Sequence, residues 1–180
     1  MTIAKGTHNI GPQDGKVLVN VYKDGVAAKM GHDLTLGASS WSGKADINPD
    51  DPSACSVQIT IPIDSLEVLE GKGGAKALSQ SDRADIKKNI SKTLGRGDIA
   101  FESTGVSGSA PNISLQGNLS VGGKSGPVTM NLTVNDNGSV TGTTSFNQSH
   151  LGIKPFSAML GALKVKDGVD VSVDLQLPTA

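Results

Sequence analysis

The chain has 180 residues and a formal net charge of -1, with 16 Lys and Arg against 17 Asp and Glu. This even balance excludes a strong overall field toward nucleic acid or an anionic membrane. The single cysteine, Cys55, excludes an internal disulfide bond. The length fits one domain, and we predict a single domain over residues 1–180.

The N-terminal segment 1–15 is polar and has no apolar run of the kind that forms a signal peptide. No stretch reaches the roughly 20 apolar residues that a membrane-spanning helix needs. We therefore expect a soluble, cytoplasmic protein without integral membrane insertion.

Alternation of apolar and polar residues is the dominant pattern, and it predicts strands with one buried face. The clearest segments are residues 57–63, 113–121, 128–134 and 169–177, where Pro62 places the first at a sheet edge or ends it there. Weaker strand candidates are residues 16–22, 25–30, 32–36, 41–47, 99–103 and 140–146. The dipeptides Asp24-Gly25, Asn137-Gly138 and Asp167-Gly168 are typical of hairpin turns. Together they predict an antiparallel all-β fold of about eight to ten strands, closed into a barrel or paired as a sandwich.

Two helices are predicted within this β pattern. Residues 79–94 have capping residues at their start, a stripe formed by Ile86, Ile90 and Leu94, and glycines at their end. A short second helix is predicted over residues 155–165, where Phe156, Met159, Leu160 and Leu163 have helical spacing. The segment 71–74 is predicted to be a flexible loop before the longer helix.

Motifs for catalysis or cofactor binding are incomplete in this sequence. Residues 118–125 approach a P-loop, but Asn118 replaces its first glycine and a strand pattern follows. The histidines His8, His32 and His150 lack the spacing of a metal motif, and no serine elbow is present. We therefore predict no catalytic residue, no metal ligand and no cofactor. An enzyme site built from His32, His150 and nearby acids stays open as one hypothesis.

Several short segments, taken in order, resemble proteins of the YceI-like family. They are residues 25–34 (GVAAKMGHDL), 41–47 (WSGKADI), 61–66 (IPIDSL), 99–103 (IAFES), 117–128 (GNLSVGGKSGPV) and 150–153 (HLGI). Each segment is short, but their order and spacing together are specific, and the resemblance extends over residues 16–178. It implies an all-β, antiparallel, lipocalin-like β-barrel of about eight strands with one inserted α-helix and a short second helix.

The resemblance also implies a function and partners. Members bind polyisoprenoid lipids or quinones with isoprenoid tails, so the expected partner is a hydrophobic small molecule or isoprenoid lipid. No nucleic acid is expected, and a homodimer is an option because members often pair.

The predicted inward face is aliphatic and suits a flexible hydrocarbon chain. Gly117 on that face is expected to leave room in the lumen. Trp41 is expected to belong to the core, and His32 to be a hydrogen-bonded strand-end residue that could also meet a ligand headgroup. The residues at 156, 159, 160 and 163 could form an apolar flap or a plug. The predicted ligand-binding residues are His32, Leu34, Ile59, Ile61, Phe101, Leu119, Met130, Leu132, Phe156, Met159 and Leu160. The alternative is a non-catalytic interaction or stress-related scaffold whose barrel is filled by side chains.

Overall fold

The structure, a computed structural model, describes residues 3–180. Within them it contains fourteen strands and one α-helix, which confirms the predicted all-β class with an inserted helix. In chain order the elements are β1 (Gly6–Ile10), β2 (Gly15–Val21), β3 (Lys23–Asp24), β4 (His32–Ala38), β5 (Ser42–Ile47), β6 (Ser56–Pro62), β7 (Leu66–Gly73), α1 (Gln80–Leu94), β8 (Asp98–Ser109), β9 (Asn112–Val121), β10 (Lys124–Val134), β11 (Ser139–Asn147), β12 (Ser157–Ala158), β13 (Leu163–Val165) and β14 (Gly168–Gln176).

Eleven of the strands form one antiparallel main sheet. Their order is β1-β5-β6-β8-β9-β10-β11-β14-β2-β4-β7, and the sheet curls into a half-barrel with β1 and β7 as its outer strands. The expectation of about eight strands was therefore too low. Strand β6 ends at Pro62 and lies between two neighbours, so this proline ends the strand and does not mark a sheet edge.

The two outer strands have no clear alternation, which explains why they were missed. Strand β1 reads GTHNI and contains a single large apolar residue. Strand β7 begins with the alternating pair Leu66 and Val68, but the pairing with β4 then shifts register, and Leu69 points outward. A bulge of this kind moves all later side chains to the opposite face and destroys the period of two. The prediction of a flexible loop at residues 71–74 is partly wrong, because β7 continues to Gly73. The bulge had removed the alternation that would have identified these residues as part of a strand.

One of the three predicted hairpin turns is confirmed. Asn137 and Gly138 lie in the tight turn that joins the paired strands β10 and β11. The other two predictions are wrong, because β3 before Gly25 and β13 before Asp167 do not pair with the strands that follow them. Both dipeptides instead connect the main sheet to a second, three-stranded sheet with the order β12-β13-β3. The weak strand predicted at residues 25–30 is a 3-10 turn, Ala28–Met30.

The short second helix predicted over residues 155–165 is also wrong. The chain there forms β12, a 3-10 turn at Met159–Gly161 and β13, with Val165 N–H donating to the Phe156 carbonyl at 3.0 Å. Gly161 has φ 89° and Leu160 has φ 55°, so the backbone leaves the helical region at this point. The apolar residues with helical spacing therefore lie in a hairpin. Only the first and last of them, Phe156 and Leu163, face the interior of the protein.

Helix α1 follows the prediction closely. It begins after Ser79, whose hydroxyl accepts a hydrogen bond from the Asp82 N–H, while the Asp82 carboxylate accepts one from the Ser79 N–H at 2.8 Å. This reciprocal pair is a capping box, and Gly95 ends the helix with a positive φ. The helix packs against β7 and the turn Ile63–Ser65. No helix within residues 3–180 is long and apolar enough to cross a membrane.

Buried apolar residues gather in two clusters. The larger cluster includes Trp41 and Leu66, and the smaller one includes Ile63, Val121 and Leu151. Ile90 and Leu94 of α1 pack against both clusters, so the predicted helical stripe anchors the helix to the sheet. Trp41 is 4% exposed, in line with its expected place in the core.

Replacing Ser79 with alanine tests the capping box. We expect S79A to lower the free energy of unfolding by about 1 kcal/mol, because the first helical turn loses a hydrogen-bond acceptor. Urea denaturation measures this change. Ser81→Ala, in the same turn but without a capping bond, is the matched control, and an equal loss in both variants would contradict the assignment.

Candidate functional site

The curled main sheet and helix α1 enclose a cavity of about 920 Å³, which we call the lumen. Its volume is at the upper end of the range of ligand pockets, roughly 300–1,000 Å³. Side chains that face it from the middle of the strands, such as Leu119, Met130 and Val171, are only half-buried although they point into the protein. They remain accessible because no opposing side chains meet them. The interior is therefore hollow, and the alternative of a barrel filled by side chains does not describe this structure.

The register of the sheet arranges the lumen wall in rows. Ile59 pairs with Phe101, and Phe101 pairs with Leu119, so three neighbouring strands present one apolar row at the same level. On the opposite part of the sheet, Leu36 pairs with Val19 and Val19 pairs with Val171. All six side chains line the lumen.

The lumen is elongated along the strands. On β9 its lining residues run from Ile113 to Val121, eight residue steps or about 27 Å along the strand at 3.4 Å per step. The three phenylalanines of the chain, Phe101, Phe146 and Phe156, all line it. Among polar side chains within it, Thr144 donates its hydroxyl hydrogen to the Thr129 carbonyl at 2.6 Å and is thereby satisfied. The wall is thus long, apolar and without ionisable groups at mid-strand.

Ionisable side chains lie near the ends of the lumen. The end beside the β7–α1 connection has His32, Lys76 and Asp82 in its lining, together with Lys23 and Lys164. Asn48, Asn135 and Asp136 line the lumen in loops and turns outside the strands. A chain-like guest with one polar end would therefore meet ionisable partners beyond the apolar section of the strands.

Nine of the eleven residues predicted to bind ligand line the lumen. They are His32, Leu34, Ile59, Ile61, Phe101, Leu119, Met130, Leu132 and Phe156. The other two, Met159 and Leu160, lie outside it with exposed side chains. The turn at Met159–Gly161 directs these two away from the interior, while Phe156 and Leu163 on either side face inward. Their assignment to the lumen wall is thus corrected, and the predicted flap is an extended hairpin.

Sequence reasoning missed the contribution of the helix to the site. The sequence pattern used Ile86, Ile90 and Leu94 only as the stripe that identifies the helix, yet they also line the lumen, together with Asp85 and Asn89. The local sequence pattern did not reveal that the main sheet closes only half of a barrel. A half-barrel leaves one side open, and an amphipathic helix must cover that side with its apolar stripe.

His32 is a hydrogen-bonded strand-end residue, as expected. It opens β4, and its Nε2 lies 2.7 Å from the Lys76 carbonyl oxygen in the connection between β7 and α1. A Cβ on Gly74 would lie 2.3 Å from the His32 ring, so the connection passes directly over the imidazole. His32 therefore holds this connection at one end of the lumen. His150 lies in the 3-10 turn Gln148–Leu151 and is not among the lining residues.

Groups of His, Cys, Asp and Glu that could hold a metal ion are not found among residues 3–180. Two buried polar atoms, Trp41 Nε1 and Asn48 Oδ1, have no hydrogen-bond partner in that part of the chain. Both residues contribute to the lumen wall, but these two atoms are covered by neighbouring protein atoms and do not face the open space.

Gly117 does not open the lumen, contrary to expectation. A Cβ at this position would lie 2.3 Å from the Phe101 ring and 2.6 Å from the Glu102 carbonyl oxygen. The absent side chain therefore makes room for the aromatic ring on the neighbouring strand. A side chain at position 117 would overlap the place that the Phe101 ring occupies.

The Asp82 carboxylate belongs to both the capping box and the lumen wall. Hydrogen bonds from the Ser79 N–H and then the Ser79 hydroxyl hold the pKa of Asp82 below its ordinary value of 3.8, with smaller contributions from Lys76 and His32. A lowered pKa in the folded state means that the ionised cap stabilises the protein at neutral pH. This contribution is lost as the pH falls through that lowered pKa.

A curled antiparallel half-barrel around an apolar lumen, with one covering helix, defines a protein of the lipocalin-type fold class. The YceI-like domain model matches residues 16–177, and the chain belongs to the YceI-like family.

Solved structures agree on the fold. BcnA from Burkholderia cenocepacia is similar with a TM-score of 0.64 and 15% identity, covering 88% of this chain and 94% of that one. A YceI protein from Campylobacter jejuni has a TM-score of 0.56 and 11% identity, covering 82% and 85%. A mutant of the latter, crystallised with a monobromobimane guest structure, has a TM-score of 0.58, 11% identity and coverage of 82% and 85%. No curated protein matches the sequence.

Alanine at position 117 tests the contact between this glycine and Phe101. We expect G117A to lose roughly 1–3 kcal/mol of unfolding free energy because the new methyl group overlaps the ring and a backbone carbonyl. Gly105→Ala is the control, since its Cβ would meet only Gln116 Oε1 at 3.5 Å. Adding Phe101→Leu should recover part of the loss, and no recovery would argue against the ring contact.

Asparagine at position 82 tests the ionised cap. Compared with wild type, D82N should unfold at a lower urea concentration at pH 7. This difference should shrink as the pH falls below the ordinary aspartate pKa and the wild-type carboxyl becomes protonated. Urea midpoints measured from pH 7 to pH 2 give the comparison, with Asp85→Asn as the control outside the cap. A constant difference at every pH would refute the linkage.

Proposed function

We propose that this protein is a non-catalytic carrier that holds one apolar, chain-like molecule in its lumen, such as a polyisoprenoid or an isoprenoid quinone. The observation that carries the proposal is the hollow, elongated lumen of about 920 Å³ with an apolar wall. Membership of a family of hydrophobic-ligand-binding proteins supports it.

The chemistry of the wall favours a flexible hydrocarbon. Valine, leucine and isoleucine side chains dominate the lining and offer no hydrogen bonds along the strands. Each methylene moved from water into such a wall contributes about 0.8 kcal/mol before the losses of ordering the chain. A long chain can therefore bind firmly without any polar contact at its middle.

The ends of the lumen suit a single polar headgroup. Lys76, Lys164 and His32 lie in the lining at the end beside the β7–α1 connection, next to the apolar section. A quinone or alcohol group there would meet donors while the tail lies along the rows at Phe101 and Leu119. The ligand-binding residues we propose are therefore the nine predicted residues that line the lumen, with Met159 and Leu160 excluded. The cytoplasmic location and the homodimer stay predictions.

Native mass spectrometry of protein purified without detergent tests this function. We expect a bound apolar species in the wild-type spectrum and its recovery in an organic extract. Wild-type protein that has no bound species and takes up no added isoprenoid quinone would refute the carrier function.

Two lumen-filling substitutions provide the matched variant. The double variant Ile59→Trp and Met130→Trp places indoles in the lumen and should lose most of the bound species. Its control is Gln58→Trp with Asn131→Trp, one position along the same strands, where the side chains are exposed. Equal ligand content in the two double variants would contradict binding in the lumen.

A further inference from the structure

Four large apolar side chains are exposed together at one end of the molecule. Val26 is 94% exposed, Met30 60% and Met159 55%, and Leu160 is fully exposed. We call these four residues the apolar tip. Among residues 3–180 only one other large hydrophobic, Leu69, is as open to solvent, and it lies on β7. Single exposed apolar residues are ordinary, but a cluster of this kind indicates an interaction site.

The small sheet brings the members of the tip together. Strand β13 pairs with β12 on one side and β3 on the other, so the loops that follow β3 and β12 lie side by side. Ala27 N–H donates to the Ala162 carbonyl at 2.8 Å, and a Cβ on Gly25 would lie 2.4 Å from the same oxygen. The backbone therefore fixes Val26 beside the Met159–Gly161 turn.

The conformation of the turn is what exposes the tip. Met159 and Leu160 have φ values of 52° and 55°, in the left-handed region that residues with a Cβ rarely adopt. Two consecutive residues of this kind hold both side chains outward, although the lumen lies directly behind them. Backbone strain that persists at a loop tip is typical of segments that serve binding.

The tip is continuous with the lumen. Met30 belongs to both, and Phe156, Ala158 and Leu163 of the same small sheet line the lumen on its inner side. An apolar path therefore leads from the exposed tip into the interior.

The small sheet that carries the tip also carries exposed lysines, although the chain as a whole is nearly neutral. Lys29 and Lys164 are exposed beside the tip, and Lys154 and Lys166 are exposed at the other end of the β12–β13 hairpin. Within the described chain, the five ion pairs involve none of these four lysines. The carboxylates nearby are Asp24, which faces Lys164 in register, Asp33, which accepts from the Lys23 N–H, and Asp167, which accepts from Ser149. The four lysines exceed these three carboxylates by one, and two of the carboxylates are engaged by hydrogen bonds, so the local charge favours a negatively charged partner.

We propose that the apolar tip inserts into the interface of an anionic lipid bilayer and places this end of the lumen against the membrane. Apolar side chains enter the boundary between headgroups and acyl chains while the lysines meet lipid phosphates. Docking goes beyond the carrier function and does not depend on it. The further step, entry of a lipid into the lumen from the docked bilayer, rests on the proposed function.

Co-sedimentation with vesicles tests docking of the full chain. We expect the wild type to bind vesicles of phosphatidylcholine with phosphatidylglycerol, to bind phosphatidylcholine alone more weakly, and to lose binding at high salt. The double variant Met159→Ser and Leu160→Ser should bind about tenfold more weakly because two apolar side chains leave the interface. Leu69→Ser removes an exposed leucine elsewhere and should bind as the wild type does.

Three results would overturn the proposal. They are a wild type that does not bind the anionic vesicles, a double variant that binds them as well as the wild type, and a wild-type dimer that the double variant loses while vesicle binding is absent. The last result would assign the tip to a second copy of the chain. Circular dichroism and urea midpoints should be unchanged in the double variant, because both side chains are exposed.

The two proposals fail separately. Vesicle binding without any lumen-bound apolar species would leave docking intact and remove the carrier function. A bound species without vesicle binding would do the reverse.

Discussion

Most strands of the main sheet send alternate side chains into a space that those side chains do not fill. Protein interiors are ordinarily packed as densely as organic crystals, and a void of about 920 Å³ forgoes many van der Waals contacts. The fold must therefore gain its stability around the lumen. The two buried clusters, one containing Trp41 and Leu66 and the other Ile63 and Leu151, supply the close packing that the middle lacks.

Elements outside the regular alternation determine how the lumen is bounded. Helix α1 covers the open side of the half-barrel, and its apolar stripe serves both the clusters and the lumen wall. His32 is the first residue of β4, and its contact with the Lys76 carbonyl connects that strand to the segment leading into the helix. One end of the lumen thus depends on a few local hydrogen bonds, since the capping box at Ser79 stabilises the same helix start.

The distribution of polarity follows from this construction. The faces of the strands that line the lumen carry aliphatic side chains, and the opposite faces meet water. The lysine, aspartate and histidine residues of the lining lie in loops, at strand ends and at the start of the helix. The small sheet β12-β13-β3 combines the two characters, with an inner face toward the lumen and an outer turn that exposes Met159 and Leu160. A molecule that stores an apolar chain therefore also presents apolar residues to its surroundings at one end.

Local patterns in the sequence were enough to predict the all-β class, the strands with regular alternation, the helix at residues 79–94 and the family. A period of two and a capping sequence are properties of neighbouring residues, so they can be recognised without knowledge of the fold. Alternation also identified seven of the nine predicted residues that line the lumen, because inward-facing positions on alternating strands must share one side of the sheet. The other two came from other patterns, since His32 was predicted as a strand-end residue and Phe156 from a helical spacing that belongs to a hairpin.

What the tertiary structure alone decided depends on contacts between distant segments. The hollow interior follows from the curvature of eleven strands, and no single strand carries that information. The bulge in β7 removed the alternation by which this strand could have been predicted. The segment predicted as a second helix forms a hairpin, because β13 pairs with β3 and β12. The same pairing turned Met159 and Leu160 outward and left Phe156 and Leu163 inside. Side-chain spacing along the chain cannot distinguish these outcomes, because the direction of each residue is set by hydrogen bonds to partners far away in the sequence.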